Sequence, residues 1–160
     1  DSVEPIVLEH YRASGTEITT VPEQESNDLE KALRLLAPDG QPLRILGLTG
    51  GRTDHLMANL SVLARYVGHF SKITAVDAHA EYHVIGERTA MFTDDSPIGT
   101  TVSLLPLHRA EGLTTTGLRY ALEEATLAMG EREGLSNVTT ARPFTVSLRS
   151  GVLLIAISRE

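Results

Sequence analysis

The run Leu43-Arg44-Ile45-Leu46-Gly47-Leu48 passes through Thr49 into Gly50-Gly51-Arg52-Thr53-Asp54-His55, and this succession leaves little freedom in local fold. An apolar, strand-like piece meets a glycine pair that allows a sharp backbone turn. Beyond it, Leu56, Leu60, Leu63 and Val67 mark one stripe of a helix over residues 54–66. Strand, turn and helix in this order form half of an α/β unit, where ligands gather at the carboxyl end of the strand. Free amides at a helix N-terminus favour an anion, and Arg52 adds a planar fork suited to phosphate. Asp54 is a carboxylate of the kind that binds a magnesium ion bridging such phosphates. The plainer reading of the same residues is a turn with Thr53 as the cap and the arginine on the surface.

The flanking sequence extends the unit. Ile18-Thr19-Thr20-Val21 reads as a short strand, and Pro22-Glu23-Gln24-Glu25-Ser26 as a loop. Asn27 is a helix N-cap, with Glu30 three residues later to complete a capping box. Leu29, Ala32, Leu33 and Leu36 then repeat at helical spacing, and Pro38-Asp39-Gly40 ends the helix. Gly68 closes the second helix, and residues 72–76 read as the next strand. The order β-α-β-α-β predicts a mainly parallel sheet.

After about His79 the pattern changes to short β-like runs at residues 82–85, 90–92, 102–105, 138–140, 144–148 and 152–157, separated by turn signals. The alternation Phe144-Thr145-Val146-Ser147-Leu148, followed by Arg149-Ser150-Gly151, predicts a hairpin with the run that follows. Residues 120–129 read as a helix. An antiparallel sandwich or barrel fits this half. With 4% aromatic residues and no tryptophan, its core must rest on Leu, Val, Ile and Ala.

A net charge of −7 argues against an extended nucleic-acid footprint, so no nucleic-acid partner is expected. No apolar run approaches the length of a membrane span, so no membrane partner is expected either. The absence of cysteine excludes thiolate chemistry and fits a reducing, cytoplasmic setting. His79 and His83 are four apart, a zinc-pair spacing only on a helix, and they fall in a strand-like region. The chain opens on Asp1 rather than methionine, which reads as a chain processed, engineered or cut from something longer.

Glu23, Gln24, Glu25 and Asp28 crowd the start of the first helix. Three carboxylates there supply hard oxygen ligands for magnesium; equally, acids in a first turn complement the helix dipole. Loops on neighbouring βα units face one edge of a parallel sheet, so this cluster and the Arg52 turn are expected to converge on one cleft.

Four segments resemble the thiamine pyrophosphokinase family. Glu23-Gln24-Glu25-Ser26-Asn27-Asp28-Leu29-Glu30-Lys31-Ala32-Leu33 resembles its D-Q-D-x-T-D-x-x-K-A-L box. Gly50-Gly51-Arg52-Thr53-Asp54-His55-Leu56-Met57-Ala58-Asn59-Leu60 is similar to its G-G-R-x-D-H-x-x-A-N-L box. Downstream, the stretch from Gly112 to Tyr120 and Gly134-Leu135-Ser136-Asn137 resemble its G-L-x-Y and G-x-S-N boxes. The resemblance implies an α/β fold: a parallel-sheet catalytic portion over residues 1–80, followed by an antiparallel β-sandwich thiamine-binding and dimerisation domain over residues 81–160. It implies pyrophosphoryl transfer from ATP to thiamine, giving thiamine diphosphate and AMP, with magnesium as cofactor and a homodimer sharing its active site. By residue, it implies Asp28, Arg52 and Asp54 as catalytic; Gln24, Arg52, His55, Asn59, Ser136 and Asn137 as substrate-binding; and Asp1, Glu23, Glu25 and Asp28 as metal ligands.

Three departures from the pattern bear on that reading. The family's earlier boxes are missing, and Asp1-Ser2 resembles the tail of its G-D-x-D-S box, which implies a chain without the N-terminal part of the catalytic domain and inactive alone. Glu23 and Glu25 stand where the family has aspartates, and magnesium demands near-ideal geometry. Val152-Leu153-Leu154-Ile155 offers only aliphatic packing where many relatives carry an aromatic. These departures leave two alternatives: a non-catalytic ligand-binding and dimerisation fragment, or a related pyrophosphokinase with a different acceptor.

Overall fold

A computed structural model describes residues 3–36 and 40–159. Among them the order is α1 (Pro5–Ala13), α2 (Asp28–Leu35), β1 (Pro42–Leu46), α3 (Thr53–Tyr66), β2 (Lys72–Val76), β3 (Ala80–Gly86), β4 (Met91–Asp94), β5 (Thr101–Thr116), β6 (Ala125–Ala128), β7 (Gly134–Val138), β8 (Phe144–Ser147) and β9 (Ser150–Ser158). Short 3₁₀ turns, Val67–His69 and Glu87–Thr89, follow α3 and β3. The strands join in the order β1-β2-β3-β9-β5-β8-β4, with β6 and β7 on the remaining edge of β5. The fold is a mixed sheet carrying helices.

The periodic stripes explain the helices. Leu33 of α2 and Val62 and Leu63 of α3 are buried, and they pack with Phe70, Ile73, Val84 and Leu154 into one core. Each fully buried leucine contributes about 1.5–3 kcal/mol. Asn27 caps α2, its side chain accepting from Glu30 N at 2.9 Å. The capping box is only half made, because the Glu30 carboxylate turns away to two arginines, Arg34 and Arg65. The helix stop at Pro38-Asp39 lies outside the described residues.

Two expectations change in this half. Residues 18–21 are irregular rather than a strand. The parallel sheet is therefore one parallel pair, β1 with β2, and β3 returns antiparallel beside β2. Helix α1 was unforeseen: Pro5 opens it and Ser14 caps its end, but it buries no side chain and so leaves no apolar period to read. The expected dividing line at residue 80 falls at the start of β3, a strand bonded to β2 on one side and β9 on the other.

The second half is organised by β5. Its early residues pair with β9 (Val102 with Ile157, Leu105 with Leu154) and its last with β8 (Thr114 with Ser147). Strands β8 and β9 thus run in line along one partner, and the expected hairpin between them does not form. Residues 149–151 are a kink in a continuous ribbon, not a reversal. Opposite the kink β5 bulges between Pro106 and Ala110. Pro106 has no N–H to give the ladder, and a bulge tolerates it. Gly151 holds φ at +91°, and a Cβ there would fall on the Arg109 carbonyl oxygen. The expected helix at residues 120–129 is also absent: a loop leads into β6, which pairs with β5 through Leu127 and Ala110. Ile85, Phe92, Leu104, Leu113, Leu127, Phe144, Leu153 and Ile155 form the core these strands enclose.

Gly151→Ala combines a left-handed backbone with a steric overlap on main-chain atoms. It is expected to destabilise the fold by at least about 1–3 kcal/mol, the usual strain of a non-glycine residue in such a region. Chemical denaturation of both proteins measures this.

Candidate functional site

Two loops meet at the carboxyl ends of β1 and β2. The first runs from Gly47 to Arg52, with Gly50 and Gly51 at φ +100° and +80°, a conformation side chains rarely adopt. It delivers Arg52 as the N-cap residue of α3, without a side-chain cap bond. Arg52 folds onto Asp54, Nε to Oδ1 at 3.1 Å and Nη2 to Oδ2 at 2.5 Å, while His55 N donates to Asp54 Oδ1 at 3.0 Å. The guanidinium bond to Arg52 holds the Asp54 carboxyl below its usual range, and Asp54 in turn raises Arg52. Both side chains are more than half exposed. Solvent screening leaves an exposed pair little net stabilisation, so a phosphate group can take Asp54's place on the fork.

The second loop begins at Asp77, which gathers four donors. Thr49 Oγ1 donates from the glycine loop, His79 N and Ala80 N each at 2.8 Å, and Tyr82 Oη at 2.9 Å from β3. The Thr49 hydroxyl is the largest influence holding the carboxyl far below the usual aspartate range; burial opposes it. Sequence reading missed Asp77, although an acid at the end of a strand beside the glycine loop is a signal of the right kind.

The acidic segment before α2 lies against α3. Asn27 Nδ2 donates to Asn59 Oδ1 at 3.0 Å, binding the segment around residues 23–33 to that around residues 50–60. Gln24, Glu25, Asn27, Glu30, Ser61 and Arg65 border a shallow cleft of ≈ 440 Å³ there. Gln24, Glu25 and Asp28 are exposed. Glu30 is buried between Arg34 Nη2 at 2.8 Å and Arg65 Nη2 at 2.7 Å. Burial pushes its carboxyl up, but the two arginines outweigh that and hold it low.

Glu23 has a different occupation. Its carboxylate accepts from Ser26 Oγ, Glu25 N at 2.7 Å and Ser26 N at 3.1 Å, and the Ser26 hydroxyl most of all lowers its pKa. It shapes the loop that carries it. Asp1 lies outside the described residues. Among the described residues no three His, Asp or Glu side chains are grouped to hold a metal ion. Glu23 is engaged within its own loop, so of the described metal-ligand candidates Glu25 and Asp28 stand exposed.

Ser136 and Asn137 lie on β7. Ser136 is exposed at φ +54°, its amide donating to Ser103 Oγ at 3.1 Å. Asn137 is buried, accepting from Tyr120 N at 3.0 Å and Val138 N at 2.9 Å and donating to Tyr120 O at 2.8 Å. It pins the Tyr120 loop and retains one N–H. Beside it is a cavity of ≈ 290 Å³ bordered by Leu104, Tyr120, Leu127, Arg132 and Leu135. This cavity shares no lining residue with the cleft at Gln24–Arg65. Within one chain the structure joins the first two boxes and leaves the last apart. His83 is buried against Phe92, ring centroids 4.5 Å apart, in the core.

Residues 1–76 match the family profile described as thiamin pyrophosphokinase, catalytic domain, and residues 88–153 match that described as thiamin pyrophosphokinase, vitamin B1 binding domain. The chain belongs to the thiamin pyrophosphokinase family. Thiamine pyrophosphokinase 2 of Oryza sativa subsp. japonica is 27% identical over 162 residues, which cover 96% of this chain and 61% of that protein. The thiamine pyrophosphokinase of Bacillus subtilis is 29% identical over 143 residues, covering 86% and 65%. The chain thus spans less than two thirds of these curated relatives. A crystal structure of thiamine pyrophosphokinase from Bacillus subtilis shares the fold with a TM-score of 0.81 at 24% identity, covering 99% of this chain and 75% of that one. One from Geobacillus thermodenitrificans has a TM-score of 0.79 at 25% identity, covering 97% and 72%.

Asp77 provides a test of the loop anchor. Its carboxyl is held below its unfolded value, so the stability it contributes is present above about pH 4 and is lost as pH falls through the folded pKa. Asp77→Asn should cost about 1.5–3 kcal/mol at neutral pH, the worth of one hydrogen bond to a charged group. It should also flatten the acid limb of a melting-temperature profile, which calorimetry across pH measures.

Proposed function

We propose that this chain is part of an enzyme that transfers a pyrophosphoryl group from ATP to thiamine, giving thiamine diphosphate and AMP. The observation that carries the reading is the Asn27–Asn59 bond. It joins the two segments that resemble the family's ligand boxes beside a glycine loop at the ends of β1 and β2, in a chain matching both family domains in order. In this reading the chain comprises an α/β catalytic portion over residues 1–80 followed by a thiamine-binding β-sandwich domain.

The roles follow from charge and exposure. Pyrophosphoryl transfer needs positioning and charge neutralisation more than covalent chemistry. Arg52, released from Asp54, meets the transferred group with its planar fork. Asp54, then unpaired and anionic, accepts a hydrogen bond from the attacking hydroxyl of thiamine. Asp28, Gln24 and His55, all exposed near the two helix starts, face the nucleotide. Asn59 acts through Asn27, holding the acidic segment in place. Ser136 offers its hydroxyl, and Asn137 its remaining N–H, to the aminopyrimidine. When bound, a divalent metal would supply further charge neutralisation to the polyphosphate.

Asn137 borders the β7 cavity, which shares no lining residue with the cleft at Gln24–Arg65, and that separation favours a site shared between two copies in a homodimer. Tyr120 and Leu135 are 64% and 62% exposed at the β7 cavity, an apolar rim for a second copy to cover. No described helix is long and apolar enough to cross a membrane, and a cytoplasmic location goes with substrates dissolved in water. A second reading, ligand binding without turnover, is favoured by the ungrouped carboxylates of Glu23, Glu25 and Asp28.

Chromatography of nucleotides separates these readings. The protein that contains this chain, given ATP, thiamine and magnesium, should release AMP in step with thiamine diphosphate. ADP as product overturns the reaction class, and no nucleotide product supports binding alone. Asp54→Asn should lower turnover about 10²–10³-fold, the usual loss when a preorganised transition-state contact is removed, with little change in melting temperature because Asp54 is exposed.

A further inference from the structure

The opposite end of the sheet, where β2 begins and β3 ends, carries two adjoining cavities. One, of ≈ 300 Å³, is bordered by Gly40, His69, Ser71, Arg88 and Thr89. The other, of ≈ 230 Å³, is bordered by Lys72, His83, Ile85, Met91 and Phe92, and shares Ser71 and Thr89 with the first. β2 is five residues long, so at about 3.3 Å per residue these cavities lie roughly 17 Å along the strand from the Asp77 loop.

The two halves differ in chemistry. The first is basic and hydroxylic. Arg88 Nη1 donates to Gly68 O at 2.7 Å, which fixes the guanidinium and leaves Nε and Nη2 to recognise an oxyanion. His69 is tilted against Tyr66, centroids 5.4 Å apart. The hydroxyls of Ser71 and Thr89 stand at the seam, and Thr89 Oγ1 already accepts from Gly86 N at 3.2 Å, so its proton points elsewhere. Lys72 adds a third basic side chain from the other half. In a chain of net charge −7, none of the described residues lining either cavity is Asp or Glu. Glu81 and Asp94, which act electrostatically on His83, stand outside the linings.

The second half mixes Lys72 and hydroxyls with an apolar part made by Ile73, Val84, Ile85, Met91 and Phe92. Phe92 and His83 form its floor, rings 4.5 Å apart, and Met91 is 68% exposed at its rim. A methionine thioether is polarizable and adapts to a flat partner. Each cavity alone is at or below the size of ordinary ligand sites, about 300–1,000 Å³; the pair, joined at Ser71 and Thr89, reaches it.

We propose that these joined cavities bind a small molecule in which a flat ring is linked to a phosphate group, at a site separate from the Arg52–Asp54 loop. The phosphate sits against Arg88, His69 and the two hydroxyls, and the ring lies by Met91 and Phe92. This inference does not rest on the transfer reaction, since its residues and its test lie elsewhere.

Phenyl phosphate is the simplest probe, with inorganic phosphate and phenol as its two halves. Nuclear magnetic resonance of the Met91 methyl and the His69 ring should show both shifting together in phenyl phosphate. Each half alone should bind at least tenfold more weakly. Arg88→Gln should weaken phenyl phosphate at least tenfold, and Arg52→Gln should leave it unchanged. Arg88 also ties two turns together, so Met91→Glu, at an exposed position, provides a second variant: it places a carboxylate at the rim and should weaken binding without altering the melting temperature. No shift at millimolar phenyl phosphate overturns the proposal. So does phosphate alone binding as tightly as phenyl phosphate, or binding that survives both Arg88→Gln and Met91→Glu but disappears with Arg52→Gln.

Discussion

Strand β9 has no face turned to water along its centre, and the rest of the fold is arranged around that constraint. Leu153, Ile155 and Ile157 enter the core enclosed by the β strands, while Leu154, between them, enters the core beneath α2 and α3. Such a strand must be apolar at consecutive positions, which accounts for Val152-Leu153-Leu154-Ile155. It also fixes register: a one-residue slip would exchange the two sets of side chains between cores of different shape. Because β9 is bonded to β3 on one side and β5 on the other, the helical half and the strand half share main-chain hydrogen bonds as well as apolar contact.

The features legible in the sequence were those whose cause is local. Helices α2 and α3 each bury one stripe, and the stripe is written in leucines at helical spacing; their start points were readable from Asn27 and the glycine pair. The β8–β9 connection was not legible, because a short turn-like segment serves a reversal and a kink equally well. What decides between them is β5, lying alongside both strands from some forty residues earlier in the chain, and the close approach of Gly151 to Arg109. Residues 120–129 fail for a similar reason: their apolar residues have an edge of β5 to cover, and Leu127 takes strand geometry there. Helix α1 buries nothing, so no pattern announced it.

The candidate site divides in the same way. Arg52 and Asp54 are two residues apart and pair directly, a contact that their spacing permits but that the sequence reading did not assign. The Asn27–Asn59 bond spans two helices; the placing of βα loops at one sheet edge suggested that the two segments meet, and the resemblance of both to one family pointed the same way, but neither named this bond. Asn137 shows the limit of motif reading. Its side chain is engaged with the Tyr120 main chain on both its oxygen and its nitrogen. A motif residue can therefore shape a pocket wall as well as touch what the pocket holds, and a letter pattern does not distinguish the two.

The electrostatics of the reactive end follow from where charge is anchored and where it is left loose. Asp77, Glu30 and Glu23 are each satisfied by several donors and hold loops or helices in place. Arg52 and Asp54 satisfy only each other and an amide, in the open. A carboxylate bound by four donors cannot exchange partners without moving the loops that supply them, whereas an exposed pair exchanges at little cost. The anchored acids thus make the frame rigid, and the exposed pair is where an incoming anion finds a guanidinium without dismantling it. That asymmetry makes the Gly50–Asp54 turn a better candidate for chemistry than the more numerous acids before α2: the density of carboxylates there reflects loop construction at Glu23 and helix packing at Glu30, and only the exposed Glu25 and Asp28 remain for a ligand.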